Sequence, residues 1–229
     1  KRFSPLFALT WDEEGRLSPE TRLPQLIFFG HDARDPATQR RIKAFEHAGV
    51  DVQAFTMRRG EAIDAPWRNV DLGETRDAAF AQRIATLWGA RPLIRPHADV
   101  LRGADVIYAR NLDMLALASW ARRMSGSNAR LVYECLDVHR FMTREDPIGA
   151  AMRTLERRLL AETSLVVVSS PAFVREYFDK RHPRRVRSLL IENRLPWGFD
   201  YGARPRADVS REGLLRIGWF GNLRCRRSL

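Results

Sequence analysis

Residues 26–56 read LIFFGHDARDPATQRRIKAFEHAGVDVQAFT, and the order of residue types along this stretch decides the fold. Leu26, Ile27, Phe28 and Phe29 form a short apolar run closed by Gly30, the pattern of a buried strand entering a tight loop. Asp35-Pro36 then offers an N-cap followed by proline at the first helical position. Ile42 and Phe45 keep helical spacing, and Gly49 supplies the stop. A second strand is expected over 50–56. Strand, helix and strand within about 30 residues make a βαβ unit, whose strands run parallel.

The same punctuation continues outward. Further strands are expected over 104–109, 131–135, 165–169 and 186–191. Helices are expected over 76–87, 112–124 and 149–162, and from Pro171 to about Lys180; the third sets Met152, Leu155 and Leu159 on one face. Residues 57–75 are turn-rich and yield no clear element. Alternation of this kind predicts an α/β fold, a Rossmann-like doubly wound parallel sheet covered on both faces. Residues 1–24, with mixed charge and no sustained periodicity, are expected to form an extension outside the fold, and 25–194 the domain itself. The proline, glycine and charge of 195–213 read as a linker, and 214–220 as one more strand, ending at Gly221. The absence of an initiating Met and the ending at Leu229, just after that strand, read as arbitrary cuts at both ends.

With 45% hydrophobic and 29% charged residues among 229, the chain is globular rather than disordered. Its longest apolar runs fall far short of the roughly 18 residues that cross a bilayer. Cys135 and Cys225 have no CxxC partner and no nearby pair of histidines, so neither a disulfide framework nor a metal site is expected, and a cytoplasmic location fits. Basic residues outnumber acidic ones 39 to 28, and all but Lys1, Lys43 and Lys180 of the 39 are arginines. The partner is therefore expected to be anionic, with phosphate on nucleic acid, lipid headgroups or a sugar nucleotide all suited to planar guanidinium forks. GxGxxG is absent, which argues against a nicotinamide enzyme.

In a doubly wound sheet ligands collect beyond the carboxyl ends of the strands, so the residues just after each strand carry the chemistry. After the first strand come Gly30, His31, Asp32 and Arg34, leading to a helix N-terminus able to hold an anion. Arg110 and Asn111 follow another strand, the arginine a fork for phosphate or carboxylate or simply an exposed side chain. Glu134, Asp137 and His139 gather around a third strand end, where a carboxylate and an imidazole could move a proton, orient a hydroxyl or merely face solvent. Ser169 and Ser170 precede Pro171, where helix capping competes with ligand binding. The basic run Lys180, Arg181, His182, Arg184, Arg185 and Arg187 reads most simply as a solvated turn. It lacks interleaved aromatics, which disfavours single-stranded nucleic acid.

Taken in order, LIFFGHDARDPATQRRIKAFEHAGVDVQAFT, ADVIYARNLDMLALA, LVYECLDVH, LERRLLAETSLVVVSSPAFVREYF, LLIENRL and LRIGWFGNLRCRRSL resemble the successive motifs of family-4-like GT-B glycosyltransferases of exopolysaccharide assembly. The resemblance implies two Rossmann-like domains facing across a cleft, the first binding the acceptor and the second the nucleotide-sugar. Residues 214–229 resemble only the opening of the second, so the chain looks like a fragment, expected to be inactive alone. Implied with it are a nucleotide-sugar donor, a lipid-linked saccharide acceptor and no separate cofactor or metal. An anionic inner-membrane surface would receive the basic protein peripherally on its cytoplasmic side. Gly30 matches the acceptor-side glycine loop and Gly221 the glycine opening the donor-phosphate loop. Asn222 stands where a basic residue is usual, leaving Arg224 or Arg227 for the diphosphate. Leu136 stands where many relatives have histidine, leaving Asp137 and His139 as the catalytic candidates. Those departures also suit a non-catalytic α/β binding module that keeps the fold.

Overall fold

The IFF run does become a central strand. In a computed structural model of the chain, which describes residues 22–62, 64–75, 80–138, 140–182 and 186–192, β1 (Gln25–Gly30) lies between β2 (Asp51–Arg58) and β4 (Val106–Arg110). The side chains of residues 80–85, 140 and 141 fall outside this description. So do the linker expected over 195–213, the strand over 214–220, and four candidate residues: His139, Gly221, Arg224 and Arg227.

With β3 (Asn69–Glu74), β5 (Arg130–Cys135), β6 (Thr163–Val168) and β7 (Ser188–Leu190), the strands form one seven-stranded sheet in the order β3-β2-β1-β4-β5-β6-β7. Every neighbouring pair is parallel. The chain enters at the centre, winds to one edge, returns, and winds to the other; this is the doubly wound, Rossmann-like topology.

Alternation along each strand sorts the core into two layers. Leu26, Phe28, Ala54, Tyr108, Val132 and Val167 face α1 (Pro36–His47), which contributes Ile42, and the loop that contributes Trp67. Ile27, Phe29, Phe55, Ile107, Leu131 and Val166 face the opposite side. There they meet α2 (Phe80–Ile94), α3 (Ala98–Gly103), α4 (Asn111–Ser125) and α5 (Pro147–Glu162) through Ile94, Leu101, Leu115 and Leu159. Stacked rings tie the centre together, Phe28 on Tyr108 at 5.7 Å and Phe29 on Phe55 at 5.2 Å.

Local signals account for most helix ends. The Asp35 carboxylate accepts hydrogen bonds from Ala37 N and Thr38 N at the start of α1, with Pro36 just inside. Gly126, at φ +67°, closes α4 in the left-handed conformation. Residues 22–24, expected within the extension, already join the fold: Pro24 O accepts from Asp51 N, and Arg22 pairs with Asp105 at 2.9 Å.

Besides α3, which lies in a stretch for which the sequence predicts no element, three elements differ from expectation. β3 lies within 57–75, where only turns were legible; Leu72 is its one fully buried side chain, too little alternation to recognise. α2 runs on through Gly89 and Pro92 because Ala90 and Ile94 are completely buried, so packing overrides propensity. Beyond Pro171 the chain forms a π-helical turn, Phe173–Phe178, before the short α6 (Asp179–Arg181), and the widened turn buries the adjacent Tyr177 and Phe178 together.

The start of α5 is sterically tight. Asp146 caps it by accepting from Gly149 N at 3.0 Å, and a Cβ on Gly149 would lie 2.2 Å from Arg144 O, a backbone atom no rotamer change can move. Gly149→Ala is therefore expected to destabilise the domain by about 2 kcal/mol. A lowered urea midpoint with an unchanged slope checks it.

Candidate active site

The switch point of the sheet lies between β1 and β4, since β1 continues into α1 on one face and β4 into α4 on the other. No loop separates β4 from α4: Arg110 ends the strand and Asn111 begins the helix. Asn111 makes this turn at φ +68°, the left-handed region that costs a residue with a Cβ, and asparagine tolerates it better than most. The consequence is that neighbouring side chains go to opposite faces.

Arg110 turns toward α1. Its side chain is 1% exposed, with Nη1 3.0 Å from Asp35 Oδ2 and Nε 2.8 Å from Glu134 Oε2. Thr38 Oγ1 accepts a further bond from Nη1. Glu134, 2% exposed and directly opposite Arg110 in the β4–β5 register, also accepts from Arg41 Nη2 at 2.7 Å and Nε at 3.1 Å. Two guanidinium groups and two carboxylates thus neutralise one another beneath α1. Burial acts to raise the Asp35 carboxyl. The Arg110 charge and hydrogen bonds from Thr38 and the Ala37 and Thr38 N–H groups outweigh it and hold Asp35 below the ordinary range. Burial, then the Glu134 charge, pushes the Tyr108 hydroxyl well above its ordinary value.

Asn111 turns the other way, into a cavity of about 290 Å³ at the carboxyl ends of the strands. Its Nδ2 lies 3.5 Å from His31 Nδ1, spanning the crevice between β1 and β4. The remaining polar lining comes from Arg59, Asp113, Tyr133, Cys135, Asp137 and Glu156, and the apolar lining includes Leu87, Leu112, Ala116, Met142, Met152 and Leu155. Of the candidates read from the sequence, His31, Asn111 and Asp137 meet around this cavity.

The other described candidates lie elsewhere. Arg110 and Glu134 are committed to the buried network. Asp32 accepts from Arg34 N at 2.9 Å and has Arg59 Nε 3.7 Å away, while Arg34 itself is exposed. Gly30 has a packing reason to be glycine, because a Cβ there would meet the Phe28 ring at 2.9 Å. Ser170 Oγ accepts from Ala172 N at 3.2 Å, a turn-closing bond, and Ser169 beside it is half-buried.

A second polar group escaped the sequence reading. Glu156 of α5 is 2% exposed and pairs with His182, 6% exposed, which corrects the expectation that the whole basic run is solvated. Its signal was present in the spacing: Glu156 sits four residues after Met152 and three before Leu159, an acid on an apolar face. Nearby, burial pushes the Cys135 thiol up to about 12 and raises the Tyr133 and Tyr177 hydroxyls. Among the described residues no cluster of His, Cys, Asp and Glu could hold a metal ion, and no helix is long and apolar enough to cross a membrane.

No family model matches the chain. Over 213 residues, 90% of its length, it is 37% identical to the succinoglycan biosynthesis protein ExoL of Rhizobium meliloti (strain 1021), of which it is a homologue. The chain spans about half, 53%, of that relative. Among solved structures, a short-chain dehydrogenase/reductase from Brucella ovis with a partially ordered NAD aligns at TM-score 0.34 and 11% identity, over 65% of this chain and 83% of that one. An alpha-glucosyltransferase in complex with UDP and a 13-mer DNA aligns at TM-score 0.34 and 8% identity, over 64% of this chain and 37% of that one. So loose a likeness fits both and favours neither activity.

The buried network makes a sharp stability prediction. Glu134→Gln strands two arginines against one carboxylate and should cost about 3 kcal/mol or more in urea unfolding. Because the folded-state value of Asp35 is depressed, its contribution is complete above the unfolded value of about 3.9 and is lost as the pH falls further. The unfolding midpoints of the wild type and Asp35→Asn should converge below about pH 4.

Proposed function

We propose that the chain is the acceptor-side half of a glycosyltransferase of bacterial exopolysaccharide assembly, which moves a sugar, a hexose on this reading, from a nucleotide-sugar to a lipid-linked saccharide. One observation carries the reading: a homologue of a succinoglycan biosynthesis protein holds, at the switch point of a parallel sheet, a cavity with both hydrogen-bonding and hydrocarbon walls. Such walls suit a saccharide, whose hydroxyls need partners and whose ring carbons need apolar contact.

In this reading the chain supplies the first of the two Rossmann-like domains of a GT-B arrangement. Asp137, at the cavity rim, orients or accepts the proton of the attacking acceptor hydroxyl, with His139 two residues on as its partner. His31 and Asn111 hold the acceptor ring. Gly221 lets the donor diphosphate approach the backbone, and Arg224 and Arg227 stabilise its charge as it leaves, work that needs no metal. The formal charge of +11 draws the protein to anionic lipid on the cytoplasmic face of the inner membrane, where a lipid-linked acceptor would lie.

Stabilisation of a leaving diphosphate is felt mainly in the transition state. In a protein long enough to include the donor half, Arg227→Ala and Asp137→Asn should each lower turnover on the order of a hundredfold, with smaller effects on acceptor binding. The 229-residue chain alone should turn over no nucleotide-sugar. Near-wild-type turnover by Asp137→Asn and His139→Ala would make the loop structural. A longer protein that transfers no sugar at all would leave a binding module.

A further inference from the structure

The inner wall of the cavity carries a charge that the reading above leaves unused. Glu156 Oε2 accepts two hydrogen bonds, from the Tyr177 hydroxyl at 2.5 Å and from His182 Nε2 at 2.9 Å. Among the described residues, Glu156 Oε1 receives none, although Glu156 lines the cavity and is 98% buried by its 2% exposure. On another wall of the same cavity Asn111 Oδ1 is buried with no hydrogen-bond partner. A buried oxygen without a donor is costly and uncommon, and Asn111 Oδ1 shares this space with the Glu156 carboxylate.

Both open atoms are acceptors, so the occupant must bring donors. The walls around them are Leu112, Ala116, Met152 and Leu155, the last 40% exposed at the rim, so the occupant must also bring hydrocarbon. An ammonium group would answer Glu156, and Asp113 and Asp137 line the same cavity with Arg59, so an alkylammonium is the rival that the test must exclude. We infer that Glu156 and Asn111 together accept hydrogen bonds from hydroxyl groups of a ring whose apolar flank or aglycone lies along α4 and α5. Tyr177 and His182 saturate Oε2, which leaves Oε1 for the ligand. The inference rests on reading the cavity as a saccharide site, and it assigns specificity to a residue pair that recognises hydroxyl donors.

Octyl glucoside below its critical micelle concentration is a suitable probe, titrated into the full chain by calorimetry. It should bind the wild type, and Ala116→Met, which narrows the cavity, should weaken it. Its per-O-methylated counterpart, which keeps the ring and the chain but has no donors, should bind about tenfold more weakly or not at all. Glu156→Gln, which exchanges a charged acceptor for a neutral amide, should weaken octyl glucoside about tenfold. The methylated probe tests the same contact without any substitution, should Glu156→Gln fail to fold. Equal binding of the two probes, undiminished binding by folded Glu156→Gln, or tighter binding of octylammonium would overturn the inference. If octyl glucoside binds and only Ala116→Met weakens it, the saccharide cavity stands and the role of Glu156 falls. If octyl glucoside does not bind the wild type at all, the saccharide reading of the cavity falls too.

Discussion

The structure turns on a buried meeting of charges, Arg110 of β4 against Glu134 of β5, joined by Arg41 and Asp35 of the α1 region. Removing Arg110 and Glu134 from water is expensive, and attraction within the network offsets that cost only when each has its counterpart in place. The requirement fixes geometry: α1 must lie where Arg41 and Asp35 reach the sheet, and β4 and β5 must hold the register that sets Arg110 opposite Glu134. Because all of this polarity is gathered beneath α1, the opposite face at the same strand ends is left to hydrocarbon and the cavity. The network therefore shapes the candidate site without touching what would bind there.

The parallel architecture was legible because its signals are local and repeated. The apolar run to Gly30, the Asp35-Pro36 cap and the stop at Gly49 each act within a few residues, and the structure keeps all three roles. What escaped was decided at a distance. β3 is recognisable only once β2 is beside it, pairing Phe55 with Val70. α2 passes Pro92 because the core beneath it takes Ala90 and Ile94. The π-helical turn exists where Tyr177 reaches Glu156, a partner 21 residues away.

The candidate site was legible in part for the same reason. Position after a strand was enough to mark His31, Asn111 and Asp137, since the crevice lies at strand ends in any such sheet. It could not separate Arg110 from Asn111, adjacent polar residues that an abrupt left-handed turn sends to opposite faces. Strand alternation does distinguish them in retrospect, because Arg110 shares a face with Tyr108, two residues earlier. Glu156 and His182 were hidden by composition, one among the charges of α5 and the other inside a basic run.

The strand order also dictates a schedule of assembly. β1 emerges in synthesis well before its second neighbour, β4, which ends only at Arg110, some 80 residues after Gly30. Until then this apolar strand can pair on one edge alone, and a nascent chain carries it half covered. The closing contact is long-range, so it bears the loop-closure entropy that slows folding of non-local topologies. Arg110, the residue that completes β4, is also the one that recruits α1 through Asp35, which couples the end of the wait to the locking of the sheet.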